Sequence, residues 1–306
     1  VLKTLDILIH PFCPYTSEHL YQTVFEGKQS ILLDKWPQYQ ESLVNEEIEE
    51  SFDIMKDVVS VSSAARMKGK LKRRWPLNEA QICVKKNQKL KLESLSDLLK
   101  SQLNVEKFNI IETEKDSGLE QLLELKELGL PVKATLELER KKIGPKAKQH
   151  MGKLVSTFLE TNPDEIIPIL QKDGKYDFNI DDQKISLDKE DFIVNFDADD
   201  NFAVAKRDDF IVFISTLRNK EMMAKGLVKD VARRLQTLRK ERGYNPTDVL
   251  EVASILELDD ESLEMIKGRD EELAFLVRVK KVNFEKSCKE YKEDDIDGQK
   301  IKISVE

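Results

Sequence analysis

The stretch Ala64-Ala65-Arg66-Met67-Lys68-Gly69-Lys70-Leu71-Lys72-Arg73-Arg74-Trp75-Pro76-Leu77 is where this chain changes its period, and its reading decides the fold. Upstream, from Glu46 to about Arg66, Ile48, Phe52, Met55, Val59 and Ser62 fall at i, i+4, i+7, i+11 and i+14, one stripe of an amphipathic helix. Glu46, Glu47, Glu49 and Glu50 open that helix and cations close it, so both ends agree with its macrodipole. Pro76 stops any continuation, and short alternating segments follow. The same stretch carries six cations and no acid in a chain of net charge −8. Self-repulsion opposes such clustering and charge balance does not require it, so the stretch calls for a polyanionic partner. The indole of Trp75 offers a flat surface on which a base can stack; the alternative is a core anchor against Pro76 and Leu77.

Working outward, Pro14 to Phe25 reads as a helix, with Pro14 in its first turn and Gly27 as its stop, followed by a loop through Trp36-Pro37. Beyond Pro76 the spacing predicts a strand at Ala80–Val84, a helix at Ser94–Leu103 and a strand at Val105–Ile111. Next come a short leucine-patterned helix around Leu119–Leu125 and a strand at Val132–Glu139. Gly144-Pro145 is expected to break the chain before a helix at Lys146–Leu159, and several antiparallel strands are expected between Tyr176 and Phe213. A long helix spans about Leu217–Arg242, burying Ala224, Val228, Val231, Leu235 and Leu238, with Gly243 as its stop. The tail alternates: strand Val249–Leu256, helical turns Ser262–Leu276, strand Val277–Phe284 and strand Lys300–Val305. No internal repeat stands out. The fold class is α+β, a helical-bundle piece followed by mixed α/β and α+β domains. Its expected divisions are 1–78, a small α/β junction unit at 79–115, and a C-terminal α+β appendage at 116–306.

A chain of 306 residues, 40% hydrophobic, buries a substantial core, and its mixed charges argue against wholesale disorder. Cys13, Cys83 and Cys288 form no CxxC pair, so neither a zinc ribbon nor a disulfide framework is suggested. There is no signal peptide and no apolar run of 18 residues, so no membrane partner is expected. The first residue is Val, inside an apolar segment (Leu5, Ile7, Leu8, Ile9), as in a piece of a longer protein.

Besides Arg66–Arg74, two further basic clusters stand out. Arg140, Lys141, Lys142, Lys146, Lys148 and Lys153 straddle Gly144-Pro145, where a helix start would favour phosphate; the alternative is a turn decorated with solvated lysines. Lys229, Arg233, Gln236 and Lys240 share the polar face of the long helix, with Arg234, Arg239 and Arg242 alongside. The catalytic inventory is thin. His10 and His19 flank Pro-Phe-Cys-Pro and read as packing or capping residues; Asp294-Asp295-Asp297 before Gly298 reads as a solvated turn. No P-loop, dinucleotide or zincin motif occurs. From the residues alone this is a non-catalytic, RNA-directed chain, with no metal site and no DNA partner expected.

Leu8-Ile9-His10-Pro11-Phe12-Cys13-Pro14, running on through Glu18, Leu20 and Tyr21, resembles the Pro-Phe-x-Pro segment in the anticodon-binding helical domain of class I aminoacyl-tRNA synthetases. Trp36-Pro37 and Ala64-Ala65-Arg66 followed by Lys72-Arg73-Arg74-Trp75-Pro76-Leu77 fit the same pattern. Lys142-Ile143-Gly144-Pro145-Lys146 and the helix Glu221–Gly243 resemble the C-terminal appendage of the isoleucyl branch, in its archaeal and eukaryotic-like type. The resemblance implies the tRNA-binding, anticodon-recognising C-terminal part of an ATP-dependent isoleucine–tRNA ligase. The same residues leave open the anticodon region of a valyl or leucyl enzyme, or a stand-alone RNA-binding or scaffold module. The ATP-site signatures of the family are absent, and Arg66-Met67-Lys68-Gly69-Lys70 only echoes one. The chain itself is therefore expected to be non-catalytic and cofactor-free, with ATP and Mg bound by a catalytic domain elsewhere, in a cytoplasmic, monomeric setting with isoleucine tRNA as partner. The expected RNA-binding residues are Arg66, Lys68, Lys70, Lys72, Arg73, Arg74, Trp75, Lys146, Arg233 and Lys240. Replacing Lys72, Arg73 and Arg74 together is expected to weaken RNA binding without loss of stability.

Overall fold

The computed structural model describes residues 1–25, 29–181, 183–284, 290–296 and 298–306, so the expectations placed on Gly27, Cys288 and Asp297 lie outside the described residues. The chain forms two compact units, Val1–Glu49 and Glu50–Glu306. The first holds α1 (Leu2–Ile9) and α2 (Pro14–Val24), the second of which begins at the proline expected to start it. Tyr21 is fully buried there; its hydroxyl donates to Asp34 at 2.6 Å, and the Lys3 ammonium meets the same carboxylate at 2.8 Å. His10 shares a hydrogen bond with the Ser17 hydroxyl at 2.9 Å, a structural tie of the kind expected of it, and His19 is exposed.

The helix read at Glu46–Arg66 is α3 (Glu46–Lys68), but its buried residues are Ser51, Met55, Val58, Val61, Ser62, Ala65 and Arg66. Ile48 and Phe52, members of the predicted stripe, are exposed. The apolar core that α3 shares with a sheet takes in Met55, Val58, Val61 and Ala65, and Ser62 and Ala65 are small enough for the sheet to approach. That sheet begins with β1 (Leu77–Val84), continues through α4 (Lys86–Glu93), α5 (Ser96–Leu103) and β2 (Val105–Glu112), and leaves for a long excursion. The excursion contains α6 (Gly118–Glu127), β3 (Val132–Leu138), α7 (Arg140–Ala147), α8 (Met151–Glu160), α9 (Pro163–Asp173), β4 (Lys175–Ile180), β5 (Gln183–Asp188) and β6 (Phe192–Ala198). The chain then returns as β7 (Phe202–Arg207) and β8 (Phe210–Ser215), completing a four-stranded sheet in the order β2-β1-β8-β7. The segment 79–115 is thus not self-contained: its strand β1 pairs in parallel with β2 and antiparallel with β8, and its core is shared with α3. The excursion packs on the other face of the same sheet through Cys83, Val204, Ile211 and Phe213. Covered on both faces, β8 is buried at every position, which is why Phe210–Ile214 is an unbroken apolar run.

After β8 come α10 (Lys220–Glu241), β9 (Leu250–Leu256), α11 (Asp260–Ile266), α12 (Asp270–Val277), β10 (Val279–Asn283), β11 (Lys292–Ile296) and β12 (Gln299–Val305). Their sheet runs β10-β9-β12-β11, the order of the first one. The likeness is detailed. In each, a long helix leads into a strand, two helices, and a parallel neighbour strand, and an antiparallel hairpin closes the far edge. Leu77 pairs with Val105 as Leu250 pairs with Val279, and Ala80 pairs with Ile214 as Ala253 pairs with Val305. The residue before β2, Asn104, and that before β10, Arg278, both take positive φ, 51° and 55°. The chain therefore contains an internal structural repeat, contrary to the sequence reading. What hid it is the excursion inserted into the first copy and the faint residue match, Leu77-Asn-Glu-Ala-Gln-Ile82 against Leu250-Glu-Val-Ala-Ser-Ile255.

The expected buried face of α10 (Ala224, Val228, Val231, Leu235 and Leu238) is buried throughout, and Gly243 follows with φ 79°. At Gly144-Pro145 the expected break does not occur. Pro145 sits in the last turn of α7, where a missing N–H costs one bond, and the chain turns instead at Lys148, which has φ 43°. Helices α4 and α9 and strand β11 were not anticipated. Among the described residues no helix is long and apolar enough to cross a membrane.

Gly226, mid-helix in α10, is required by packing: a Cβ there would lie 2.5 Å from Cδ2 of Trp75. Gly226→Ala is expected to destabilise the second unit by about 1–3 kcal/mol in urea unfolding, with a changed Trp75 emission. An unchanged midpoint would contradict this close approach.

Candidate nucleic-acid interface

The basic stretch is held by its own first arginine. Arg66 is 4% exposed, and its two η nitrogens donate to four carbonyls: Lys72 (3.1 Å), Trp75 (3.0 Å), Leu103 (2.7 Å) and Asn104 (3.1 Å). The last two belong to the C-terminal end of α5, where the helix dipole favours a cation. Burial, and then the nearby charge of Arg73, push its pKa down to about 10. The Asn104 side chain adds a bond to the Arg73 carbonyl at 3.2 Å. The loop backbone is thereby fixed at three of its residues, Lys72, Arg73 and Trp75.

Its side chains then divide. Trp75 is buried, its ring against Gly226 and its Nε1 donating to Asp230 at 2.8 Å. Asp230 is wholly buried on α10, also accepts from Lys72 at 3.2 Å and forms an ion pair with Nε of Arg74. Arg218 lies 4.8 Å over the indole and Lys72 5.4 Å. Arg66 thus belongs to the interior, not to the RNA-facing surface the sequence reading gave it, and Trp75 takes the second of its two readings, a core anchor, against Gly226. Arg66 satisfies four carbonyls and Trp75 a buried carboxylate, and that need outweighs an exposed position. With Nε engaged, the η nitrogens of Arg74 make no hydrogen bond among the described residues, a fork free for a bidentate acceptor.

Lys72, Arg73, Arg74 and Arg233 meet in one open groove of about 670 Å³, whose remaining lining is Ser101, Gln102 and Asn104. Arg73 and Arg233 are exposed and form no side-chain ion pair among the described residues. Arg233 follows Asp230 by three positions on α10, so the residue that anchors the loop also brings the helix cation beside it. Two clusters far apart in sequence thereby become one cationic surface with amide and hydroxyl groups between. Lys70 is exposed on the turn beyond α3, with φ 53°. Lys68 lies apart, at a cavity of about 510 Å³ shared with Phe192, Phe196 and Lys206. Lys240 lines a separate groove farther along α10.

Three of the six cations of the middle cluster are paired with acids. Lys146 bridges Asp188 at 2.7 Å and the buried Asp191, hydrogen bonds that raise its pKa. Lys142 pairs with Glu190 and Lys153 with Asp181. Lys146 is accordingly a cross-link between α7 and the loop after β5 rather than part of a free anion site. The helix read at Lys146–Leu159 is α8, which starts at Met151, and Lys146 lies in the last turn of α7. The sequence reading missed Ser101, Gln102, Asn104 and Asp230. Only Asn104 carried a signal, as an Asn following a helical Leu where a left-handed cap is common, while Asp230 looked like one more charge on an amphipathic helix.

Residues 1–82 match the family described as the anticodon-binding domain of tRNA ligase. Along nearly its whole length the chain is similar to isoleucine–tRNA ligases. It is 27% identical to that of Sulfolobus acidocaldarius, over 92% of the chain and 26% of the relative, and 27% identical to that of Pyrococcus furiosus, over 93% and 25%. The enzyme of Methanothrix thermoacetophila is 26% identical over 100% of the chain and 28% of its own length. The chain spans about a quarter of the length of these curated relatives.

Removing Lys72 and Arg74 together strands a buried carboxylate, so the expectation of unchanged stability is corrected. Lys72→Ala with Arg74→Ala is expected to cost about 2–3 kcal/mol of unfolding free energy, since the pair is only partly screened from water. Arg73→Ala is expected to cost under about 0.5 kcal/mol. Equal losses in chemical denaturation would contradict the Asp230 anchor.

Proposed function

We propose that this chain, whose first 82 residues belong to the anticodon-binding domain family of tRNA ligases, is the tRNA-binding region of an isoleucine–tRNA ligase and grips isoleucine tRNA through the groove of Lys72, Arg73, Arg74 and Arg233. In this reading it works as a cytoplasmic monomer, and the ATP-dependent joining of isoleucine to tRNA belongs to the longer enzyme, to which this chain contributes RNA contact.

The observation that supports the reading best is the convergence in that groove. Four cations from two distant segments share one open surface, on a chain of net charge −8. A rigid backbone carries them, so little ordering entropy opposes binding. Arginine forks suit phosphate oxygens better than lysine point charges do, and three of the four cations are arginines. Ser101, Gln102 and Asn104 supply neutral donors and acceptors beside the phosphate track, the groups with which unstacked bases of a loop are read.

A titration against isoleucine and valine tRNAs across a salt series tests this. The reading expects preference for the isoleucine tRNA, with log K falling linearly against log salt by about 0.7 per single-stranded phosphate contact. Arg73→Gln with Arg233→Gln is expected to flatten the slope by about 1.4 and leave the melting temperature unchanged. Weak, salt-insensitive binding without preference between the tRNAs would overturn the proposal.

A further inference from the structure

The internal repeat gives the first groove a counterpart. Arg66 reaches the carbonyls six and nine residues ahead of it and the two that precede β2. Arg239, 5% exposed, does the same in the second copy, bonding Asn245 (3.2 Å), Asp248 (2.7 Å), Val277 and Arg278 (2.9 Å). The place beside Arg66 is the groove already described. The matching place beside Arg239 is also open, a groove of about 550 Å³ lined by Gln236, Lys240, Tyr244, Leu276 and Arg278, among others.

We propose that this second groove is an RNA-binding site that takes a nucleotide of the same strand whose phosphates occupy the first. The inference rests on the function proposed above. Its chemistry is complementary to the first groove rather than identical. Lys240 and Arg278 are exposed and form no side-chain ion pair among the described residues, so both are free for phosphate. Tyr244 is half-buried in the groove wall with Leu276 beside it, and presents the kind of ring on which an unpaired base stacks. The two grooves also lie on one line. Arg233 and Lys240 are seven residues apart on α10, nearly two turns, so they share a face about 10 Å apart along the axis. That is about three nucleotides of a stacked strand at ~3.4 Å each. Gln236 stands between them on the same face.

The test uses the full chain and isoleucine tRNA over a salt series. Lys240→Gln and Arg278→Asn each remove one cation, the latter by installing the residue that the first repeat carries at its equivalent left-handed position. Each is expected to lower affinity and flatten the log–log salt slope by about 0.7. Tyr244→Leu keeps apolar bulk and removes the ring; it is expected to lower affinity about 5- to 100-fold with the slope unchanged. Lys142→Gln, which removes a cation already paired with Glu190, is expected to bind as the unaltered chain does. Should Arg73→Gln and Arg233→Gln weaken binding while all three second-groove variants bind normally, the second groove is overturned and the first reading stands. If neither set changes affinity or slope, both fall.

Discussion

A guanidinium that satisfies four carbonyls at once is the interaction on which the second unit is built, and the chain uses it twice. Arg66 and Arg239 each sit near the end of a long helix and close three things together: the loop that follows, the C-terminus of a later short helix, and the start of a parallel strand. Helix ends leave carbonyls without partners, and a buried carbonyl left unpaired costs about 1–3 kcal/mol. One arginine meets that need at each site. No lysine could do so, because an ammonium has three donors and no planar fork.

The two copies are then joined by Asp230. It projects from the long helix of the second copy and takes the indole and two cations of the first copy's loop. Burying a carboxylate is costly unless it is paired, and here the pairing also sets the shape of the loop. It draws the inner ends of Lys72 and Arg74 inward and leaves Arg73, Arg233 and the outer edge of Arg74 facing the groove. The acid that lowers the net charge of the basic loop is what gives the loop a single shape.

Much of this was legible in the sequence. The long helices, the strands Val132–Leu138 and Leu250–Leu256, and the anticodon-binding likeness of the first residues rest on periodicity and short motifs that local interactions enforce. The basic groups were legible as charges but not as contacts. Arg66, Arg73 and Arg74 look alike in the chain, yet one is an internal clamp, one forms no side-chain ion pair among the described residues and one is half engaged, a difference set by α5 and α10 far away in sequence. Lys146 was misplaced for the same reason, since its partners Asp188 and Asp191 lie some forty residues on. The repeat was hidden because its two copies agree in register and clamp geometry while sharing few residues, and because the first is interrupted by an inserted subdomain.

Photo-cross-linking of this chain to isoleucine tRNA, followed by mass spectrometry of the adducted peptides, tests the central claim most directly. The account predicts adducts in the loop at 70–74, at the end of α5 and on α10 around Arg233. Adducts confined to the segment 140–153, with the groove unmodified, would contradict it.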